Sequence, residues 1–320
     1  EFIGGNMDIV VASDNNYAPH LATLVCSICE NNKDMEIVIH ILDNGISIES
    51  KAKIFSMAKQ YTHLSFKEYK ISDGYINKKT GCDLSADRSL AAYARIFIPV
   101  ILPETVEIAI YMDVDAIVLG NLAPMLDEID HSFCIAGVKD VNPAARRTAV
   151  FLGEQDTYIN SGMIMWDMNL CRKMNIVQRF VEFIKENSGI IDAMDQGTIN
   201  GTLRGDIKVL HPKWNVMTPF FQKNAKDLSM MAGWDEYYTQ EQLDEAVNNP
   251  IYVHFTPNMT TRPWTKHCKH PLRKDYIKYR NMTEFKIVTL EKDKRNIRTR
   301  FVGWLYRNLP YMIFRKMSER

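Results

Sequence analysis

Apolar runs of five to seven residues alternate with longer amphipathic stretches through the first half of the chain, a rhythm that predicts strands separated by helices. Asp8–Ala12 reads as a first strand, followed by a polar break over Ser13–Tyr17 and a helix from Tyr17 to about Asn31. Glu36–Leu42 reads as a second strand closed by the turn signal Asp43-Asn44-Gly45, and Ser47–Tyr61 has helical periodicity. Leu64–Tyr69 supplies a third strand, Ser85–Phe97 a helix stopped by Pro99, and Val106–Met112 a fourth strand. Such alternation predicts an α/β fold: an open, mainly parallel sheet flanked by helices, with ligands gathered beyond the C-terminal strand ends. Two loops should meet there, Ser13–Tyr17 and Asp113–Asp115.

Composition narrows this picture. The 320 residues suffice for one large α/β domain with an appendage, and 46% apolar with 24% charged residues is ordinary for a folded soluble protein. Glu1 to Asn6, ahead of Met7, reads as a cloning remnant, which leaves residues 7–285 as the domain and 286–320 as a tail. Neither a run of about eighteen apolar residues nor a basic-then-apolar leader occurs, so the expected compartment is the cytoplasm. Six cysteines are scattered, and the one Cys-x-x-Cys pair, Cys26 and Cys29, lies inside a helical pattern with no second pair to complete a zinc site; core packing is expected. Net charge is zero overall but unevenly spread: residues 286–320 hold ten Lys or Arg against three Asp or Glu, a basic tail on an acidic body.

Candidate chemistry centres on Asp113-Val114-Asp115, where a buried strand runs out. Alternation along a strand turns both carboxylates the same way, and two like charges held together call for a cation; a divalent metal held so can anchor a diphosphate. A solvated turn is the plainer reading of the same three residues. No Gly-x-Gly-x-x-Gly follows the first strand and no Gly-x-x-x-x-Gly-Lys-Ser/Thr occurs, so any phosphates must be held by the metal. In the first loop, Asp14 and Asn16 offer an acceptor and an amide edge to a base such as uracil, Tyr17 a flat face, and Ala12 room for a ring to approach. Asp14 or Asn16 as a helix N-cap is the structural alternative.

Ordered pieces along the chain resemble the retaining glycosyltransferases of family 8, close to bacterial lipooligosaccharide galactosyltransferases and more distantly to glycogenin. They are Ile9–Tyr17, Tyr93-Ala94-Arg95, Tyr111–Asp115, Tyr158–Gly162, Asp195-Gln196, and His254-Phe255-Thr256-Pro257 with Arg262-Pro263-Trp264. The resemblance covers roughly Met7 to Lys274 and implies a GT-A-type nucleotide-sugar fold. It also implies that Asp113 touches ribose and metal, with Val114 in the donor contact set, and that Asp115 binds the metal with His254. Two carboxylates, an imidazole and diphosphate oxygens suit Mn2+, with Mg2+ as the alternative. The resemblance further implies that Arg95 reaches the sugar, that Asp87 lies in a segment closing over the donor, that Asn160, Ser161 and Gly162 approach the sugar, that Asp195 binds donor hydroxyls, and that Gln196 lies beneath the anomeric carbon. An amide there is a poor nucleophile, which favours front-face transfer over double displacement.

Two departures from the family pattern bear on the diphosphate. Pro257 stands where the family commonly has Gly, which removes a backbone donor, and Arg262 replaces Lys in a loop two residues longer, which adds a planar fork. The tail, Arg298 to Lys316, interleaves bases with aromatic and apolar side chains, as an interfacial segment does; a helix packed on the core and a nucleic-acid contact are the alternatives, the acidic body disfavouring the last. The expected activity is metal-dependent transfer of galactose or glucose from a UDP-hexose to a cell-surface glycan or glycolipid by an enzyme peripheral on the inner face of the cell membrane. A nucleotide-sugar-binding protein without transfer and a self-glucosylating enzyme are the alternatives.

Overall fold

The computed structural model describes residues 6–71, 91–141, 143–187, 191–257 and 259–318. Ten strands are described: β1 (Met7–Ser13), β2 (Ile37–Asp43), β3 (Leu64–Lys70), β4 (Ile108–Met112), β5 (Ala116–Val118), β6 (Ile135–Lys139), β7 (Ile159–Asp167), β8 (Lys208–Val209), β9 (Val216–Met217) and β10 (Tyr252–His254). Seven of them form one sheet in the order β3-β2-β1-β4-β7-β6-β8, and β5-β10-β9 form a second, smaller one. The large sheet is parallel except for β7, which runs antiparallel to β4 and to β6. All residues of β2 and β7 are buried, as expected of strands covered by helices on both faces.

The expected mainly parallel α/β architecture is therefore present, with local differences. The helix predicted over Ser47–Tyr61 is an α-helix, Ile48–Phe55, whose N-cap Ser47 Oγ accepts from Ser50 N at 3.1 Å, followed by a 3-10 turn over Ser56–Lys59. Pro99 does not stop a helix. The described part of that segment runs as Ala91–Ala94 into a 3-10 turn, Arg95–Phe97, and Pro99 sits in the first turn of the next short helix, Ile98–Ile101. A first-turn position needs no N–H, so proline opens a helix there.

The helix Ala18–Asn31 joins the two sheets. Cys26 and Cys29 are buried free thiols in its core face, as expected. On the same helix, Ser27 Oγ accepts from Val118 N of β5 at 2.9 Å, Asn31 Nδ2 donates to Val118 O at 3.1 Å, and Asn32 Oδ1 accepts from Leu122 N at 2.7 Å. Ser27 and Asn31 thereby supply the edge strand β5 with hydrogen bonds that no neighbouring strand provides, and Asn32 holds the segment that follows it.

The tail forms two helices, Ile297–Asn308 and Tyr311–Ser318. Gly303, Tyr306 and Phe314 are buried, so one face packs on the body. Among the described residues no helix is long and apolar enough to cross a membrane.

Ser27→Ala should leave the Val118 N–H buried without a partner and cost about 1–3 kcal/mol. In urea unfolding the midpoint should fall with an unchanged slope; an unchanged midpoint would show that Ser27 does not hold β5.

Candidate active site

Asp113, Val114 and Asp115 form a bend between β4 and β5, where the chain passes from the large sheet to the small one. Their shared direction comes from this bend, with Val114 buried beneath it, and not from alternation along a continuing strand. His254, 139 positions after Asp115 in the sequence, arrives by strand pairing: β10 runs antiparallel to β5 with His254 opposite Ala116, and Phe255 N donates to Asp115 O at 2.9 Å. His254 Nε2 lies 3.2 Å from Asp115 Oδ1 and 3.7 Å from Asp113 Oδ2. One ligand atom from each of the three residues falls within 4.8 Å of the others.

Gly162 makes room for this arrangement. It follows Asn160 and Ser161 on β7, and Asp113 N donates to its carbonyl at 2.8 Å. A Cβ at Gly162 would lie 2.2 Å from His254 Cε1 and 2.5 Å from Nδ1. Tyr252 Oη, on β10, lies 2.9 Å from Gly162 O and 3.0 Å from Asp113 O, tying the three strands together at their ends.

Two arginines balance the acids. Arg95 is buried, with Nη2 3.0 Å from Asp113 Oδ1 and Nε 2.9 Å from Asp195 Oδ2, while Nη1 donates to Ser161 O at 2.7 Å and Ser161 Oγ at 3.1 Å. Its guanidinium lies over the Tyr111 ring at 4.3 Å, and Tyr111 Oη donates to Asp113 Oδ1 at 2.8 Å. Arg262 donates to Asp115 Oδ2 at 2.7 Å and to Tyr17 Oη at 3.0 Å, which connects the loop after β1 to the acid pair. Asp195 occupies the first turn of the helix Met194–Leu203, so its charge at a helix start and its pairing with Arg95 coexist.

Titration follows the same contacts. Burial works to raise the Asp115 carboxyl, but the His254 and Arg262 charges outweigh it and hold Asp115 well below the usual carboxylate range. Burial opposes a charged His254, yet Asp115 and then Asp113 carry its imidazole above the ordinary value. Asp195 is pushed up by burial against the pull of Arg95.

Gln196 is held at both ends. Its Oε1 accepts from Ser161 N at 2.9 Å and Asn160 Nδ2 at 3.3 Å, and its Nε2 donates to Asp140 Oδ2 at 2.8 Å. Asn160 Oδ1 in turn accepts from Gly162 N and from Asn215 Nδ2, each at 3.0 Å. Asp140 and Asn215 were not singled out from the sequence. Asp140 does carry a signal, an acid just past the end of the strand-like segment Ile135–Lys139; Asn215 carries none.

Asp113, Asp115, Asp140, Asn160, His254 and Arg262 line a cleft of about 360 Å³. Pro257 and Arg262 are shared with an adjoining cleft of about 260 Å³, where Asn16, Tyr17 and Trp264 lie. Asp14 points elsewhere in part: its Oδ1 accepts from Tyr17 N at 3.0 Å, shaping the turn, while Tyr17 itself occupies the N-cap without a side-chain cap bond. Neither Asp14 nor Asn16 is therefore the cap. Ala12 is half-buried near the end of β1, and Asp87 lies outside the described residues. A larger cleft of about 530 Å³ around Pro99 and Arg172 is a weaker candidate, because Arg172 spends its guanidinium on the carbonyls of Pro99, Leu102, Pro103, Glu104 and Val106.

The residues present fit a divalent cation. Two carboxylates and an imidazole are a hard, mixed oxygen and nitrogen donor set, and His254 Nε2 already faces both acids. Buried His254 Nδ1 has no hydrogen-bond partner among the described residues, so the ring is oriented by packing against Gly162.

A mainly parallel α/β sheet flanked by helices, with an acid pair at its carboxyl edge, is the GT-A type of fold. The family model for glycosyl transferase family 8 matches residues 8–268, and the chain belongs to that family. General stress protein A of Bacillus subtilis is 28% identical over 294 residues, covering 88% of this chain and 96% of that protein. Lipopolysaccharide 1,2-glucosyltransferase of Escherichia coli is 22% identical over 274 residues, covering 84% and 76%. Among solved structures, the galactosyltransferase LgtC with donor and acceptor sugar analogues superposes with a TM-score of 0.70 at 20% identity, covering 87% of this chain and 96% of that one. The bifunctional glycosyltransferase WbbM gives 0.72 at 19% identity over 90% of this chain, which spans about half (51%) of that longer protein.

Gly162→Ala should displace the His254 ring and weaken Mn2+ binding to the nucleotide-free protein about 10- to 100-fold. Isothermal titration with the metal alone checks this, and wild-type affinity in the variant would remove His254 from the ligand set.

Proposed function

We propose that the protein is a metal-dependent, retaining hexosyltransferase that moves galactose or glucose from a UDP-sugar to a cell-surface glycan or glycolipid. The observation that carries this reading is the convergence of Asp113, Asp115 and His254 on one point of a cleft, with Arg262 beside them and the Gln196 amide held in the adjoining network. Family membership and the lipopolysaccharide glucosyltransferase among the relatives support the substrate class.

A bound Mn2+ or Mg2+ supplies positive charge against the pyrophosphate. The remaining work falls to the chain. Arg262 offers a two-pronged donor from a loop at the mouth of both clefts, and it compensates for the backbone donor absent at Pro257. Tyr17 and Asn16 line the adjoining cleft, where a base has room. Arg95 fixes Asp113 and Asp195, so the acids keep their places as the donor arrives.

Given retention, as the family reading implies, Gln196 bears on the route taken. Double displacement requires a free carboxylate on the face opposite the leaving group. Gln196 is an amide with both ends engaged, Asp195 is paired with Arg95, and the Asp140 carboxylate is occupied by Gln196 Nε2 and Val141 N. The acceptor hydroxyl then enters on the face that UDP leaves, through an oxocarbenium-like ion pair, and the departing phosphate oxygen takes its proton.

The tail supports an acceptor presented at a membrane surface. Ile297, Phe301 and Trp304, spaced along one side of their helix, are 86%, 58% and 52% exposed, and Met312, Ile313 and Met317 continue the apolar exposure on the next helix. Arg298 and Arg300 stand beside them, as anionic lipid would require.

UDP with Mn2+ should raise the melting temperature and Asp115→Asn should abolish the rise; a rise that is independent of metal would refute the metal role. A screen of UDP-hexoses should show slow release of hexose with its anomeric configuration kept, whereas no release from any donor would favour a binding protein without transfer. Intact-mass spectrometry after such incubations should show no added hexose, since added units would favour self-glucosylation or a covalent intermediate. Phe301→Ser with Trp304→Ser should lower sedimentation with anionic vesicles, and equal sedimentation would discard the membrane contact.

A further inference from the structure

The loop that presents Arg262 is held by the tail. Met259, three residues before Arg262, has a left-handed backbone with φ of 51°, a conformation unfavourable for a non-glycine residue that persists only where its surroundings impose it. Its carbonyl oxygen accepts from Arg307 Nη1 at 2.9 Å, and Arg295 Nη1 lies 3.5 Å away. Both arginines belong to the tail. The same oxygen lies against Gly303, where a Cβ would come within 2.6 Å of it.

Gly303 is an informative residue for that position. Glycine inside a helix is less favourable than alanine, so helix stability alone argues against it. Close approach of the Met259 carbonyl explains it. Further contacts fix the tail on the same side of the body: Lys223 Nζ donates to Leu309 O at 2.6 Å and lies 4.7 Å from the Tyr306 ring centroid. The strand-like part of the tail that precedes its first helix pairs with the far end of the loop, Lys266 N donating to Glu291 O at 2.8 Å and Glu291 N to Trp264 O at 3.0 Å. The tail therefore grips the loop on both sides of Arg262, at Met259 and at Trp264 to Lys266.

We propose that the C-terminal helix Ile297–Asn308 is a brace for the Arg262 loop, with Arg307 and Gly303 as positioning residues that set the affinity of the diphosphate subsite. This rests on the reading of Arg262 as a diphosphate ligand. In the brace's absence Met259 relaxes from its left-handed conformation, and Arg262 loses the fixed origin from which it reaches both Asp115 and Tyr17. Removal of the tail is then not a neutral truncation: it loosens donor binding along with any surface contact. The two faces of one helix thereby join acceptor-side docking to donor-side grip.

The test uses full-length Arg307→Ala, Gly303→Ala and, as control, Arg298→Ala, whose side chain is exposed on the same helix. In the ligand-free proteins, hydrogen exchange over residues 255–268 should be faster in the first two variants than in wild type and unchanged in the control. With Mn2+ present, the dissociation constant of UDP should rise about tenfold in the first two, and Arg307→Lys should recover part of the loss. Unchanged loop exchange in both Arg307→Ala and Gly303→Ala overturns the brace whatever the nucleotide does. Faster exchange with wild-type UDP affinity overturns its role in the diphosphate subsite. Failure of wild type itself to bind UDP with Mn2+ sinks the functional reading instead, and the exchange measurement still decides whether the helix holds the loop.

Discussion

A buried concentration of negative charge at the junction of the two sheets governs this molecule. Asp113 and Asp115 are brought together by the bend between β4 and β5, and the β5–β10 pairing drives His254 against them. Like charges in a low-dielectric setting are unfavourable by several kcal/mol unless compensated. Compensation here comes from outside the pair: Arg95 from the helical segment before β4, Arg262 from the loop after β10, and the imidazole itself. Of these, Arg262 is the group on a loop at the cleft mouth, and under the proposed function it is the contact that a sugar diphosphate would redirect, while Arg95 stays on the acids.

Around this point the hydrogen-bond network is arranged for rigidity. Gln196 joins β7 to Asp140, Asn160 joins Gly162 to Asn215, and Tyr252 joins the ends of β4 and β7 to the small sheet. Such connected polar groups in a buried setting specify one arrangement, since each would be costly to leave unpaired. The Arg262 loop differs. It is long, carries a left-handed Met259, and takes its shape from the tail helix packed on it. Rigid acids and a braced loop together make a site in which one wall is set by the sheet and the other by the C-terminus.

Strands β1 to β4 were legible in the sequence because apolar runs are local signals, whereas their order in the sheet was not. Asp113 and Asp115 stood out as an Asp-x-Asp after a strand, while His254, an ordinary strand-end histidine by local pattern, joined them only through the resemblance to family 8. What remained hidden depends on tertiary contacts. Pro99 reads as a stop by propensity, and only the 3-10 turn before it makes it the start of a new helix. Asn215 and Tyr252 look like ordinary loop and strand residues, and acquire meaning only when β7, β9 and β10 are brought together. The tail illustrates the same limit: its basic and aromatic pattern is visible in the chain, whereas the packing of Gly303 on the Met259 carbonyl is a property of the fold.

Whether His254 holds the metal can be read by pulsed electron paramagnetic resonance of Mn2+ bound to protein carrying 15N-labelled histidine. Coupling from one directly coordinated imidazole nitrogen is expected in wild type and should be lost in His254→Gln. A bound Mn2+ with no nitrogen coupling, or with coupling that survives the substitution, would contradict this role of His254.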